Sequence, residues 1–171
     1  MLLFDFKKRQ PAAFVPLPDW QWLGEAYSCA PDLVLGPRGE VIVSSNAMTT
    51  LWRIDPVTLE VTRHEPVLDQ DSDKDVGFAG LAYSSEQGAF FGASSLHGSL
   101  WRIDPSLKRA QKIPLSAPIG PACALALRPR VVQQKTYRLV GLCVQGAQAG
   151  WTVNLAPDQR FGYVSEQSCT G

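Results

Sequence analysis

The stretch Leu51-Trp52-Arg53-Ile54-Asp55-Pro56 returns unchanged as Leu100-Trp101-Arg102-Ile103-Asp104-Pro105, a shift of 100 − 51 = 49 residues. Six consecutive identities that include a tryptophan do not arise by chance in a chain of 171 residues, so the chain is built from a repeat. Each copy reads as a strand of bulky residues closed by Asp-Pro. There the aspartate accepts from the backbone two residues on, and proline presets the turn dihedral.

The rest of the chain reads as short strands with few helices. Fourteen Gly and 13 Pro are scattered as turn punctuation, and the segments between them are rich in β-branched and aromatic residues. In unit one the spacing predicts strands over Leu33 to Pro37, Val41 to Ser45, Thr50 to Asp55 and Leu59 to Pro66, with a tight turn at Arg38-Gly39. Unit two repeats the order over Gly80 to Tyr83, Ala89 to Ser95, Ser99 to Asp104 and Ala110 to Leu115, with Ser94-Ser95 answering Ser44-Ser45 at a spacing of 50. Unit three opens with Cys123 to Leu127 and Tyr137 to Gln145.

Both ends need a separate reading. Leu2 to Phe6 and Ala12 to Leu17 form a strand pair like those that begin at each Leu-Trp-Arg-Ile-Asp-Pro, and Pro16 suits a strand end. The endings Val15-Pro16-Leu17, Glu65-Pro66-Val67 and Ile113-Pro114-Leu115 recur at 66 − 16 = 50 and 114 − 66 = 48 residues. At the C-terminus two readings stand. Trp151, 50 residues after Trp101, marks the third strand of unit three; or Val153 to Ser165 matches the first half of a unit and completes the N-terminal pair in one shared sheet. The chain thus reads as one all-β domain over residues 1–171, with units at about 25–67, 76–116 and 121–166 and an N-terminal strand pair at 2–17.

A four-stranded repeat of about 40–50 residues is the signature of a β-propeller. On Gly-Pro-Arg-Gly-Glu-Val-Ile-Val (36–43), the two Leu-Trp-Arg-Ile-Asp-Pro copies and Ala-Pro-Asp-Gln-Arg-Phe-Gly-Tyr-Val-Ser (156–165), the chain resembles a propeller superfamily. That superfamily includes NHL-repeat proteins, virginiamycin B lyase and the gluconolactonase and regucalcin enzymes. The resemblance implies rings of six or seven blades, whereas 171/49 is roughly three and a half repeats. A partial ring leaves faces and edges uncovered. Three solutions follow: a small four-bladed ring whose ends share a blade, two chains pairing into one ring, or docking onto a larger protein.

Composition excludes some partners. Lys plus Arg and Asp plus Glu are 16 each, so the formal charge is zero; the short clusters Lys7-Lys8-Arg9 and Lys108-Arg109 do not make the basic field of a nucleic-acid binder. No apolar run reaches the ~20 residues of a membrane helix. Met1 to Phe6 carries an early acid and does not read as a signal peptide. The chain therefore reads as soluble, cytoplasmic as written, and periplasmic or secreted if a leader was removed. Cys29, Cys123, Cys143 and Cys169 lack CxxC spacing and read as buried thiols, or as one or two disulfides in an exported protein.

Few residues suggest chemistry. The resemblance to the lactonases places Glu25, after Leu23-Gly24, on a divalent metal at the channel mouth, with Asn46 and Asn154 as further candidates. A surface carboxylate is the plainer reading of Glu25. Asp69, Asp71, Asp73 and Asp75 alternate along one loop, and alternating oxygens can wrap a hard cation such as calcium. Lys74 and Gly80 occupy the sixth and twelfth positions, so the loop is not an EF-hand. A solvated linker is the plainer reading. His97 has two candidate roles: in a Ser94/His97 dyad, which lacks an orienting acid and a G-x-S-x-G elbow, or, by the resemblance to the lyase, as an acid/base. His64 is the other histidine, near the end of an outer strand. Arg53 and Arg102 recur inside strands and need a carboxylate or a strand-end carbonyl.

The chain therefore reads as a non-catalytic binding or assembly module, partnered by itself or by a larger protein. The alternative is a metal-dependent hydrolase or lyase of lactonase type, with its site at the propeller channel mouth completed by a second subunit. The first predicts an exposed apolar or aromatic patch; the second predicts Glu25, Asn46 and another carboxylate around one cavity.

Overall fold

Alternating apolar residues of these short segments bury side chains on both faces of small sheets, and the sheets stack. The computed structural model describes residues 1–21, 30–70, 77–94, 97–119, 125–128, 137–141, 149–155 and 161–168. All of the regular structure in them is β.

Leu2–Asp5 (β1) and Gln10–Phe14 (β2) form a two-stranded antiparallel sheet. Leu33–Leu35 (β3), Val41–Ser44 (β4), Leu51–Ile54 (β5) and Val61–His64 (β6) form an antiparallel meander in chain order. Val67–Leu68 (β7) leaves it and joins the next sheet, made with Gly80–Ser84 (β8), Ala89–Ser94 (β9), Ser99–Ile103 (β10) and Arg109–Ile113 (β11) in the order β7-β11-β10-β9-β8. Leu125–Arg128 (β12), Tyr137–Gly141 (β13), Ala149–Leu155 (β14) and Gly162–Ser168 (β15) make a third meander.

The ladders set the repeat offset. Trp52 lies opposite Val43 and Arg63, and Trp101 opposite Gly92 and Lys112. Val43 and Gly92 are 49 apart, so Ser45 answers Ser94; the alignment of Ser44-Ser45 with Ser94-Ser95 is off by one residue. The aspartate turn is built as its chemistry predicts. Asp55 Oδ1 accepts the N–H groups of Val57 and Thr58 at 2.8 Å each. Asp104 accepts those of Ser106, Lys108 and Arg109. Asp5 takes Lys7 and Lys8 in the same way, at 2.9 and 3.1 Å. Arg9 and Leu59, 50 apart, share the left-handed conformation, with φ of 52° and 62°. The N-terminal pair is thus the outer half of a blade, with β1 matching β5 and β2 matching β6.

Two expectations change. Glu65-Pro66-Val67 does not end the fourth strand. Val67 and Leu68 cross to the next sheet and pair parallel with Arg109 and Ala110. Leu115 makes the corresponding parallel bridge to Gly162. At the C-terminus β14 pairs with β13 over five residues, Tyr137↔Leu155 to Gly141↔Trp151, and with β15 over seven. Trp151 therefore stands in a third strand, and the reading in which the C-terminal pair completes the N-terminal one is set aside. Pairing with β13, close in sequence, closes a far shorter loop than reaching β1 would. Among the described residues β1 and β2 pair only with each other, so no blade shared by the two ends is formed among them.

Three apolar cores alternate with the sheets. Val15, Val43, Trp52 and Ile54, with Met1, Leu3, Leu17 and Val61, fill the space between the N-terminal pair and the first full sheet. Ile42, Leu51, Phe78, Leu81, Phe90, Trp101 and Ile103 join the first and second. Phe91, Ala93, Leu100, Ile113, Leu125, Val153 and Leu155 join the second and third. The repeated tryptophans are buried side chains between blades, each fully enclosed. Arg53 Nη2 donates to Pro105 O, in the turn after β10, at 2.7 Å, while its Nε is buried with no hydrogen-bond partner. The first strands β3, β8 and β12 approach one another in succession, the arrangement of a fan around an axis.

Candidate functional site

Of the acidic loop Asp69 is described, whereas Asp71, Asp73 and Asp75 lie outside the described residues. Asp69 is engaged in the fold. Its N–H donates to Ala110 O at 3.1 Å and its Oδ1 accepts the Lys112 N–H at 2.9 Å, which extends the parallel pairing of β7 on β11. A strand-end acceptor is the role its position gives it. Among the described residues no three His, Cys, Asp or Glu side chains are grouped to hold a metal ion.

Glu25 and all four cysteines also lie outside the described residues, and of Asn154 only the backbone is described. Asn46 sits in the loop between β4 and β5, next to Ser45, whose Oγ accepts the N–H groups of Ala47 and Met48. The described carboxylate nearest the start of a first strand is Asp32. Its Oδ2 accepts the Leu81 N–H at 2.9 Å, which stitches the second sheet's first strand to the first sheet. Sequence reasoning gave Asp32 no role; an acid placed one residue before a strand was the only signal.

His97 is exposed and lines a cavity of about 250 Å3 with Gly98, Ser99, Lys112 and Pro114. Among the described residues no carboxylate lines that cavity. Ser94 is fully buried and its Oγ makes no hydrogen bond, so no Ser94–His97 dyad forms. His64 is half-buried in the outer strand β6. Burial first, and then the Arg53 charge, hold its imidazole below the ordinary 6.5, with Asp104 opposing.

A larger cleft of about 420 Å3 opens beside the β3–β4 and β5–β6 turns, lined by Arg38, Glu40, Arg53, Asp55, Glu60 and Thr62. Glu40 is buried. Its Oε2 accepts the Arg38 N–H at 2.8 Å, and Arg38 Nη2 stands 3.6 Å from its Oε1. Burial by itself would raise the Glu40 carboxyl. The backbone N–H groups of Glu40 and Arg38 and the Arg38 and Arg53 charges outweigh it and hold the carboxyl below 4.5. The cleft sets three carboxyl groups beside two guanidinium groups, and Glu40 and Asp55 brace its two turns through backbone N–H groups; among the described residues neither a thiol nor an imidazole lines it.

The strongest departure from a closed fold is the outer face of the N-terminal pair. By register Leu2 and Phe4 occupy the places of Trp52 and Ile54, which are 0% and 1% exposed. Leu2 is 60% and Phe4 45% exposed. Phe14, directly opposite Leu2, and Phe6, edge-on to Phe4 with centroids 5.5 Å apart, extend the same exposed patch. At the other end Tyr163 is exposed and sits edge-on to Phe161 at 5.0 Å. Val164 packs into the core toward the second sheet, so alternation turns Tyr163 to the far face.

Comparison with known proteins returns the fold. No family model matches the chain, and no curated protein does. Among solved structures, the Malassezia sympodialis allergen Mala s 1 aligns with a TM-score of 0.58 and 13% identity, over 80% of this chain and 40% of that one. Virginiamycin B lyase from Staphylococcus aureus aligns with a TM-score of 0.57 and 14% identity, over 82% of this chain and 42% of that one. The chain is propeller-like and all-β, and it spans about two fifths of the length of the solved chains it matches.

Proposed function

We propose that the chain is a non-catalytic assembly module, a partial propeller whose open N-terminal blade face docks a second copy of itself. One observation carries this reading: Leu2 and Phe4 are exposed at the register positions where Trp52, Trp101, Ile54 and Ile103 are buried by a preceding blade. A contiguous apolar patch of this kind marks an interaction surface. The second copy is the favoured occupant because the far end of the fan presents aromatic rings of its own, Tyr163 and Phe161, and because a net charge of zero sets up no repulsion between copies.

Light scattering over a wide range of concentration tests it. The wild-type mass should rise from 18.7 kDa toward twice that value, and Phe4→Asp with Phe14→Asp should hold it at the single-chain mass. Both side chains are exposed, so the double variant should keep its melting temperature. A single-chain mass at every concentration, or association unchanged in the double variant, overturns the proposal.

The lactonase- or lyase-type alternative draws on the cavity beside His97. It requires turnover of a lactone that His97→Ala abolishes, with or without added calcium.

A further inference from the structure

The first strands of successive sheets provide an internal control. Leu33 lies opposite Val43 and Leu81 opposite Gly92, and Val43 and Gly92 in turn face Trp52 and Trp101. Leu33 and Leu81 therefore occupy the same place in consecutive blades, as do Leu35 and Tyr83. Their surroundings differ sharply. Leu81 is 3% exposed, whereas Leu33 is 56% and Leu35 60% exposed. Leu81 lies in one apolar core with Val34, Ile42 and Leu51 of the preceding sheet. Among the described residues the pair that precedes Leu33 has only its outer two strands. Met1, Leu3, Val15 and Leu17 reach Trp52, Ile54 and Val61, and that core stops short of β3.

The backbone shows the same gap. β5 gives its inward edge to β4 through four residue pairs, Val41↔Ile54 to Ser44↔Leu51. β1 holds the equivalent place, yet among the described residues it pairs with β2 alone. Among the described residues an unpaired strand edge and two exposed leucines thus lie where two inner strands would sit, beside the core formed between the N-terminal pair and the first full sheet.

We propose that this gap is a docking site for an antiparallel β-hairpin from a separate polypeptide. One strand of the hairpin adds to the inward edge of β1 by main-chain hydrogen bonds, and the other lays alternate apolar side chains over Leu33 and Leu35. The chain itself supplies the template for the occupant: β3 and β4 do this for Leu81. The inference goes beyond the assembly reading, because it names the element a partner contributes and uses a different surface.

The test titrates the full chain with a synthetic peptide of residues 32–45, the β3–β4 hairpin. Saturable binding is expected, with slowed hydrogen exchange at the β1 amides that β2 leaves unpaired. Leu33→Asp with Leu35→Asp should weaken binding at least about tenfold, the loss expected when two leucines no longer bury apolar surface. Both side chains are exposed, so the melting temperature should not move. Absence of saturable binding, or equal affinity in the double variant, overturns the inference. The Phe4→Asp, Phe14→Asp protein should bind the peptide as the wild type does while failing to self-associate, so the two proposals fail separately.

Discussion

Trp52 and Trp101 share a register position and full burial but not an anchor. The Trp52 Nε1–H donates to Pro18 O at 2.9 Å and its ring meets Trp20 at 5.1 Å, which ties the N-terminal segment to the first full sheet. The Trp101 Nε1–H donates to Ser99 Oγ within its own strand, with Lys112 Nζ 5.8 Å above the ring. Truncating either to alanine removes a large packed side chain between sheets and should cost about 3–5 kcal/mol, read from denaturant midpoints. Trp52→Ala should in addition loosen residues 1–20, seen as faster proteolysis there; Trp101→Ala should not. The burial of the tryptophans was legible in the sequence because each recurs at the same place in the 49-residue repeat. Their separate anchors were not, because Pro18 and Ser99 carry no pattern that singles them out.

His64 supplies a pH dependence. Burial and the Arg53 charge hold its pKa below 6.5 in the folded state. The unfolded chain then takes up a proton that the folded chain resists, so stability is full above pH 6.5 and falls as the pH drops from there through the folded value. Urea unfolding at successive pH values should show this decline. His64→Gln should flatten it above the carboxylate range; an unchanged slope would remove His64 as the cause.

At the scale of elements, the aspartate turns and one glycine decide how the strands connect. Asp104 holds three backbone N–H groups, and Asp104→Ala leaves them to water or to nothing. A loss of about 1–3 kcal/mol is expected in thermal or chemical unfolding. Gly77 is required for a different reason. A Cβ there would lie 2.1 Å from the Asn46 carbonyl oxygen, beside the hydrogen bond from Phe78 N to Ser45 O at 2.7 Å. The contact is with backbone and cannot be relieved by a rotamer change. Gly77→Ala should therefore destabilise by about 3 kcal/mol or more, the upper range for overpacking. The Asp-Pro turns were readable because an Asx turn is a local interaction. The crossing of Val67 and Leu68 onto the next sheet, and the clamp on Gly77, join segments that the sequence does not align, and neither was anticipated.

At the scale of the whole molecule the question is what covers its two ends. The exposed patch of Leu2, Phe4, Phe6 and Phe14 is apolar, so self-association through it should persist when salt is raised to about 0.5 M, where surface ion pairs are strongly screened. Dissociation in salt would point to a charged interface instead. The candidate chemistry was legible only as residue types. His97 does lie in a cavity, but without a carboxylate among the described residues, and Asp69 turns out to cap a strand. Spacing along the chain cannot bring a second group to an imidazole or show that a carboxylate is already engaged; these are contacts between distant segments.

By itself the sequence determined an all-β chain of short strands, the order of those strands and the chemistry of their turns. Each of these rests on interactions within a few residues, where alternation, Asp-Pro and glycine act directly. Only the tertiary structure decided that the C-terminal pair belongs to the third sheet, that Leu2 and Phe4 are bare where Trp52 and Ile54 are buried, and that Leu33 lacks the cover Leu81 has. A side chain's exposure depends on what lies across the interface from it. Identical local patterns therefore end up enclosed or open according to packing that no single stretch encodes.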